Sequence, residues 1–417
     1  MTAPAPKVEL LAPAGNFEKL EIALHYGADA VYLAGKEFSL RNFSANFSAG
    51  QLETAIDLAH SRNAKVYVAV NIFARAKDLA PLESYLALLE ALQPDGIIVA
   101  DPAVVAMAQR TAPGLPIHLS TQANTTNRQA VEFWRRQGVR RINAARELTL
   151  KEIARLASVK QVEVEAFVHG AMCISYSGRC LLSNFMARRP ANQGMCCHPC
   201  RFQYAVVEET RAGQYFPIRE DQRGTYIFNS RDLCMLDHLP EMVAANIRAL
   251  KIEGRMKGIH YAATAVNVYR AALDSYHADP VNYAVQPHWS AELGKITSRG
   301  YSTGFYLDQP AAIRPNWRPP QPPLYTLAGK VLAPAGRHRA HIEVRNRLQT
   351  GDRVEIIRPG LAPLADKLRQ VIDIQGQPVD VAQPGSRVTI HLATDCQRFD
   401  ILRRKADQRA DKDIGDR

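Results

Sequence analysis

Val8-Glu-Leu-Leu-Ala-Pro-Ala-Gly-Asn-Phe-Glu-Lys-Leu-Glu-Ile-Ala-Leu-His-Tyr-Gly-Ala-Asp-Ala-Val-Tyr-Leu-Ala34 opens the ordered pattern of this chain. An apolar run at 8–12 is followed by Phe17, Leu20, Ile22, Ala23 and Leu24 at helical spacing, then by a second apolar run at 30–34. Strand, helix, strand is the reading. Further runs occur at 65–70, 96–100, 117–120, 141–145, 162–168 and 248–253, with helical stretches such as Leu52, Ala55, Ile56, Leu58 and Ala59 between them. Strands with no polar face, alternating with helices, belong to a parallel sheet covered on both sides. Eight such units predict a closed (β/α)8 TIM-like barrel, and no glycine-rich dinucleotide fingerprint follows any strand to favour an open doubly wound sheet.

The barrel pattern fills residues 1–308, and its seventh unit is interrupted. More than sixty residues separate the seventh strand from a helix expected at 233–245, and this insertion, 170–230, holds most of the cysteines. The eighth strand leads into an amphipathic helix at 259–276. A proline-rich linker follows at 309–323. From 324 to 405 the pattern changes to short alternating strands at 325–331, 339–344, 353–357, 367–374 and 387–392, punctuated by Thr350-Gly-Asp352 and Pro384-Gly-Ser386. That predicts a small antiparallel β-barrel. A charged tail, 406–417, ends the chain.

The 417 residues carry 52 Lys and Arg against 41 Asp and Glu, a net charge of +11. Of that surplus, +5 falls on residues 324–417, the more densely basic part. A basic balance favours a polyanionic partner such as nucleic acid. No apolar run reaches the eighteen residues of a membrane span. The amino-terminal residues lack the apolar stretch of a secretory signal, so the expected compartment is the reducing cytoplasm.

Six of the seven cysteines are Cys173, Cys180, Cys196, Cys197, Cys200 and Cys234; Cys396 stands apart. Thiols gathered in this way in a reducing compartment read as metal ligands rather than disulfides. Zinc ribbons use two tight pairs, and tight spacing here is confined to the stretch from Cys196 to Cys200. Irregular spacing across several loops suits a cubane iron–sulfur cluster. Buried inert thiols are the plainer reading.

Active residues of such barrels cluster at the carboxyl ends of the strands. Those ends supply Asn71, Asp101, Gln122, Asn124, Arg146 and Glu147. Strand seven adds Glu165 and His169, and strand eight adds Lys251, Glu253 and Arg255. Glu165, His169 and Lys251 are the candidates for catalysis; Gln122, Asn124, Arg146, Glu253 and Arg255 are candidates for substrate binding. Each has a structural alternative: Glu165 and Lys251 as an ion pair, His169 as a satisfied turn residue, Gln122 and Asn124 as helix caps, and Arg255 as a rim charge. Together they suggest an anionic ligand.

Glu165-Ala-Phe-Val-His-Gly170-Ala-Met-Cys173-Ile-Ser-Tyr-Ser-Gly178-Arg-Cys180-Leu-Leu-Ser183 resembles the signature of peptidase family U32, the collagenase-like proteins. So do Asn192-Gln-Gly194-Met-Cys196-Cys-His-Pro-Cys200-Arg201, Ser230-Arg-Asp-Leu-Cys234 and Lys251-Ile-Glu-Gly-Arg-Met-Lys257. The resemblance covers nearly the whole chain and is strongest to the branch that hydroxylates tRNA. It implies oxygen-independent conversion of the wobble uridine to 5-hydroxyuridine, a [4Fe–4S] cluster and prephenate as a small anionic co-substrate. The implied ligands are Cys173, Cys180, Cys196 and Cys234, with Cys197 as a neighbouring alternative and Cys200 in reserve. Other members act on 23S ribosomal RNA or ubiquinone precursors, and an electron donor or homologous partner is left open. The family's peptidase label finds no support in a His-Glu-x-x-His helix or a Gly-x-Ser-x-Gly elbow, for the chain has neither.

Overall fold

The computed structural model describes residues 7–39, 46–173, 175–177, 179–189, 191–193, 195–196, 206–207, 215–216, 219–221, 224–226, 231–307 and 324–406. Eight parallel strands close a barrel: Glu9–Pro13, Ala30–Leu33, Lys65–Val70, Gly96–Val99, Ile117–Leu119, Val139–Asn143, Glu163–Gly170 and Ala249–Ile252. Closure is explicit in the register, because the eighth strand pairs with the first (Leu11 opposite Lys251) and with the seventh (Ala249 opposite Glu165). Helices between the strands start where short polar side chains cap them. Asn16 accepts from the Lys19 N–H, while Ser48 with Gln51 and Thr149 with Glu152 form capping boxes.

Alternation sorts each strand between two environments. Leu10 and Ala12 pack outward under the helices, whereas Leu11, Tyr32, Tyr67 and Ile98 form a separate cluster inside the barrel. Charged residues at interior positions must therefore meet partners across the barrel.

The seventh unit differs from expectation. Residues 233–245 do not form one helix: Asp232–Cys234 is a strand, and the helix is confined to Leu239–Ala244, with Pro240 in its first turn. The strand runs antiparallel to the extended end of strand seven, with Leu233 opposite Gly170 and Cys234 opposite His169. Its other edge takes Tyr301–Ser302. Tertiary pairing of apolar Leu233 outweighs local helical spacing here. Short antiparallel pairs join 206–207 to 215–216 and 219–221 to 224–226. The linker 309–323 and the tail beyond Ala406 lie outside the described residues.

The last 80 or so residues form the antiparallel barrel. A missed strand, Ile401–Lys405, pairs between Tyr325–Pro334 and Arg353–Ile357. Closure comes from one bent stretch: Leu364–Lys367 pairs with Arg353–Ile357, and Gln370–Ile372, two residues later, pairs with Arg387–His391 at the other edge. Gly351 (φ +94°) and Gly385 (φ +85°) occupy turns between strands where the left-handed backbone demands glycine. This barrel docks firmly on the first one. Tyr26 Oη donates to the Ile357 carbonyl at 2.8 Å, and Asn267 bridges the Arg358 carbonyl and the Gly360 N–H. Arg403, with no exposed surface, is held by Glu292 at 2.7 Å and Glu355 at 2.5 Å.

Candidate active site inside and above the barrel

A line of charges runs up the barrel interior. Glu9, at the amino end, takes the Arg141 guanidinium at 2.6 Å and the Tyr67 hydroxyl at 2.8 Å. Arg141 also binds Glu163 and lies 3.8 Å from Glu165. Glu165 accepts from Lys251 Nζ at 2.7 Å and from Asn143 at 2.8 Å through one oxygen; its other oxygen is buried without a hydrogen bond. Lys251 sits 4.4 Å above the Tyr32 ring.

Burial sets the charge states. Desolvation lowers the Lys251 pKa although Glu165 opposes it; burial also opposes the charge on Arg141, but Glu9, Tyr67 and Glu165 together push it further into its charged form. His118, buried beside the Tyr67 ring, is held well below the ordinary imidazole value by burial and then by Arg141 and Lys251. An open cavity lined by Glu9, Lys65, Tyr67, His118, Arg141 and Glu163 reaches this network from the amino end. That end of a TIM barrel serves stability, so the chemistry is assigned to the opposite end.

Toward the carboxyl end, Phe167 lies 3.8 Å beneath the Arg146 guanidinium, and Arg146 donates to the Ala171 carbonyl at 2.7 Å. The Arg146 Nε is buried without a hydrogen bond. Gln122 is buried and accepts from Asn71 at 2.9 Å and from Ser120 at 3.0 Å, so it caps no helix; Asn127 caps the next one. Asn124 adopts a left-handed conformation and its Oδ1 is a buried atom without a hydrogen bond. Glu147 is raised above the usual carboxylate range by burial.

The other candidates separate from this group. His169 packs against Tyr261, Tyr269 and Tyr301 rather than against Glu165 and Lys251, and burial lowers its pKa to about 4. Arg255 is buried beneath the loop after strand two, bonded to Ser39 and Asn46. The Glu253 main chain ties neighbouring segments together: its carbonyl accepts from Tyr261 and its N–H donates to the His169 carbonyl. Sequence reading missed Arg141 and Asn143. Their signal was available: polar residues at alternate positions of a strand buried on both faces require an interior partner.

Cys173, Cys180 and Cys234 are free thiols above this end of the barrel, and Cys196 lies in the insertion. Cys234 is fixed by its strand pair with His169 and lies 3.5 Å from the Tyr269 hydroxyl; burial raises its pKa. Arg299 anchors the approach to Cys173 through Asp232 at 2.6 Å and the Met172 carbonyl. Among the described residues, no three His, Cys, Asp or Glu side chains gather as a metal site. Cysteine sulfurs at these four positions fit the donor chemistry of an iron–sulfur cluster, but the described residues do not assemble one. Cys197 and Cys200 lie outside the described residues.

The family model for peptidase family U32 matches residues 15–316, and that for the family's C-terminal domain matches 324–403. The chain belongs to peptidase family U32. Among similar U32 proteins, tRNA hydroxylation protein P1 of Bacillus subtilis (strain 168) is 39% identical, the match covering 90% of each chain. The tRNA hydroxylation protein P of Escherichia coli (strain K12) is 32% identical over 93% of each. A Porphyromonas gingivalis (strain ATCC BAA-308 / W83) protein named Collagenase is 28% identical, covering 95% of this chain and 97% of that one. No helix among the described residues is long and apolar enough to cross a membrane.

Proposed function

We propose that this chain is a tRNA-modifying enzyme that hydroxylates the wobble uridine at C5 in the cytoplasm. The observation that carries this reading is full-length likeness to relatives named for tRNA hydroxylation. Cys173, Cys180, Cys196 and Cys234 would hold a [4Fe–4S] cluster, with Cys200 as the reserve for the third position. That cluster would supply redox or Lewis-acid chemistry above the barrel. Arg146 and Lys251 are the cations suited to orient a small carboxylate co-substrate such as prephenate. Glu165, hydrogen-bonded to Lys251, provides a carboxylate that can exchange a proton with that amine. Deletion of the gene followed by mass spectrometry of tRNA nucleosides tests the function: loss of 5-hydroxyuridine derivatives is expected, and an unchanged profile removes the assignment. A change confined to 23S ribosomal RNA or to quinone precursors would reassign the substrate.

The collagenase-named relative motivates a second reading, a peptidase. A thiol nucleophile needs a lowered pKa and a neighbouring base. Cys234 is instead raised by burial, and the nearby His169 is enclosed by aromatic rings. Gelatin digestion by anaerobically purified protein would revive the peptidase reading.

A further inference from the structure

The C-terminal barrel carries a band of cations that no carboxylate among the described residues pairs with. It lies where the bent strand closes that barrel. Arg353 stands directly opposite Lys367, and two residues further on Arg369 donates its N–H to the His391 carbonyl at 2.9 Å. His391 in turn lies between Arg339 and Gln370 on the neighbouring strands. The intervening Ala340, Val354, Leu368, Val371 and Ile390 are buried in the core, so alternation turns the band outward. Arg339, Arg353, Lys367 and Arg369 are all exposed.

Like charges facing each other across a strand pair destabilise the sheet. Ion pairs in this domain use Lys330, His338, Arg345, Arg398 and Arg403. Among the described residues, none of the four exposed cations makes one. Nearby carboxylates are engaged elsewhere: Asp366 accepts from the N–H groups of Lys367, Ala393 and Thr394, and Glu343 faces Lys330 and Arg345. The band also lies clear of the interdomain contact, since Arg353 begins the strand whose far end, Ile357, meets Tyr26.

We propose that this band docks the phosphate backbone of RNA. The inference rests on the tRNA reading above and assigns the part of the surface that holds the substrate away from the reacting base. An exposed row of guanidinium and ammonium groups suits a phosphate backbone and confers affinity without sequence choice.

The test combines Arg339→Gln, Arg353→Gln, Lys367→Gln and Arg369→Gln in the full chain. Binding to unfractionated tRNA is followed by fluorescence anisotropy from about 50 to 200 mM salt. The log-affinity against log-salt slope should fall by about 3, and affinity at physiological salt by about ten-fold or more. A control carrying Arg140→Gln and Lys160→Gln, exposed cations of the first barrel, should bind as wild type does. Wild-type slope and affinity in the quadruple variant would overturn the proposal, as would an equal loss in the control. Displacement of the wild-type protein's RNA by polyglutamate as effective as by tRNA at matched charge would overturn RNA as the occupant. Nucleoside analysis of the deletion strain keeps the two ideas apart. If the quadruple variant loses tRNA affinity while deletion leaves 5-hydroxyuridine unchanged, the hydroxylase reading falls and the band stands. Full restoration of the modification by a variant that binds like wild type has the reverse meaning.

Discussion

The barrel interior and the thiol-bearing rim above it solve the problem of unfavourable polar groups in opposite ways. Inside, Arg141, Glu165 and Lys251 are buried and Glu9 nearly so, and each meets a group of opposite charge. Rigid strands hold that arrangement before any ligand arrives. On the rim, where Cys173, Cys180, Cys196 and Cys234 lie, no metal-sized group of ligands is assembled among the described residues. The contrast separates a site organised by protein–protein ion pairs from one whose organisation depends on the group it would bind, because metal binding and local ordering are thermodynamically linked.

The largest test of this contrast removes a thiol. Cys173→Ala or Cys234→Ala should take anaerobically reconstituted protein from about four irons per chain, the content of a cubane cluster, to none, with tRNA modification abolished. Circular dichroism should find the barrel intact. Iron loss in Cys200→Ala but not in Cys196→Ala would exchange the third ligand, and one tightly bound zinc would end the cluster reading.

Within the interior, Glu165→Ala should destabilise the fold by about 3–5 kcal/mol, since it leaves Lys251 and Arg141 buried beside a missing carboxylate. Urea unfolding measures this, and Glu165→Ala combined with Lys251→Met should recover part of the loss. A cost below about 1 kcal/mol would show that the pair is solvated like a surface bridge.

A smaller effect appears with pH. His118 stays neutral in the folded protein because burial and the neighbouring Arg141 and Lys251 depress its pKa. The unfolded chain takes up that proton near pH 6.5, so this residue's contribution is lost as pH falls below that value. His118→Gln should make the acid side of the stability profile shallower, by about 0.7 kcal/mol per pH unit at the unfolded pKa and approaching about 1.4 a unit below it. An unchanged slope would mean that His118 is protonated inside the barrel.

The smallest effect is expected for Cys396→Ala. Cys396 lies in the core of the second barrel, so iron content should stay at wild type and stability should fall by about 1 kcal/mol. Iron loss in this variant would break the division between the two thiol environments.

Much of the architecture was legible from the chain. Alternating apolar runs and helical stretches announced the eight-stranded barrel, and the prolines at 309–323 marked the change to short antiparallel strands. Interior pairing of Glu165 with Lys251 was anticipated as one of two readings, and the structure supplies that contact without deciding catalysis. His169 and Arg255 were grouped with these residues by strand-end position alone, but side-chain direction takes them to separate surroundings. The strand at Asp232–Cys234 was hidden because its partner, Gly170, lies more than sixty residues earlier.

The sequence by itself determined the strand–helix alternation, the change of module near residue 324 and the concentration of thiols after strand seven, since each is written in neighbouring residues. Only the tertiary structure decided which charges face each other, which histidine is sealed among tyrosines and which surface cations make no ion pair among the described residues. Hydrophobic periodicity is a local property, whereas Glu165 meets Lys251 across 86 positions only because the barrel closes.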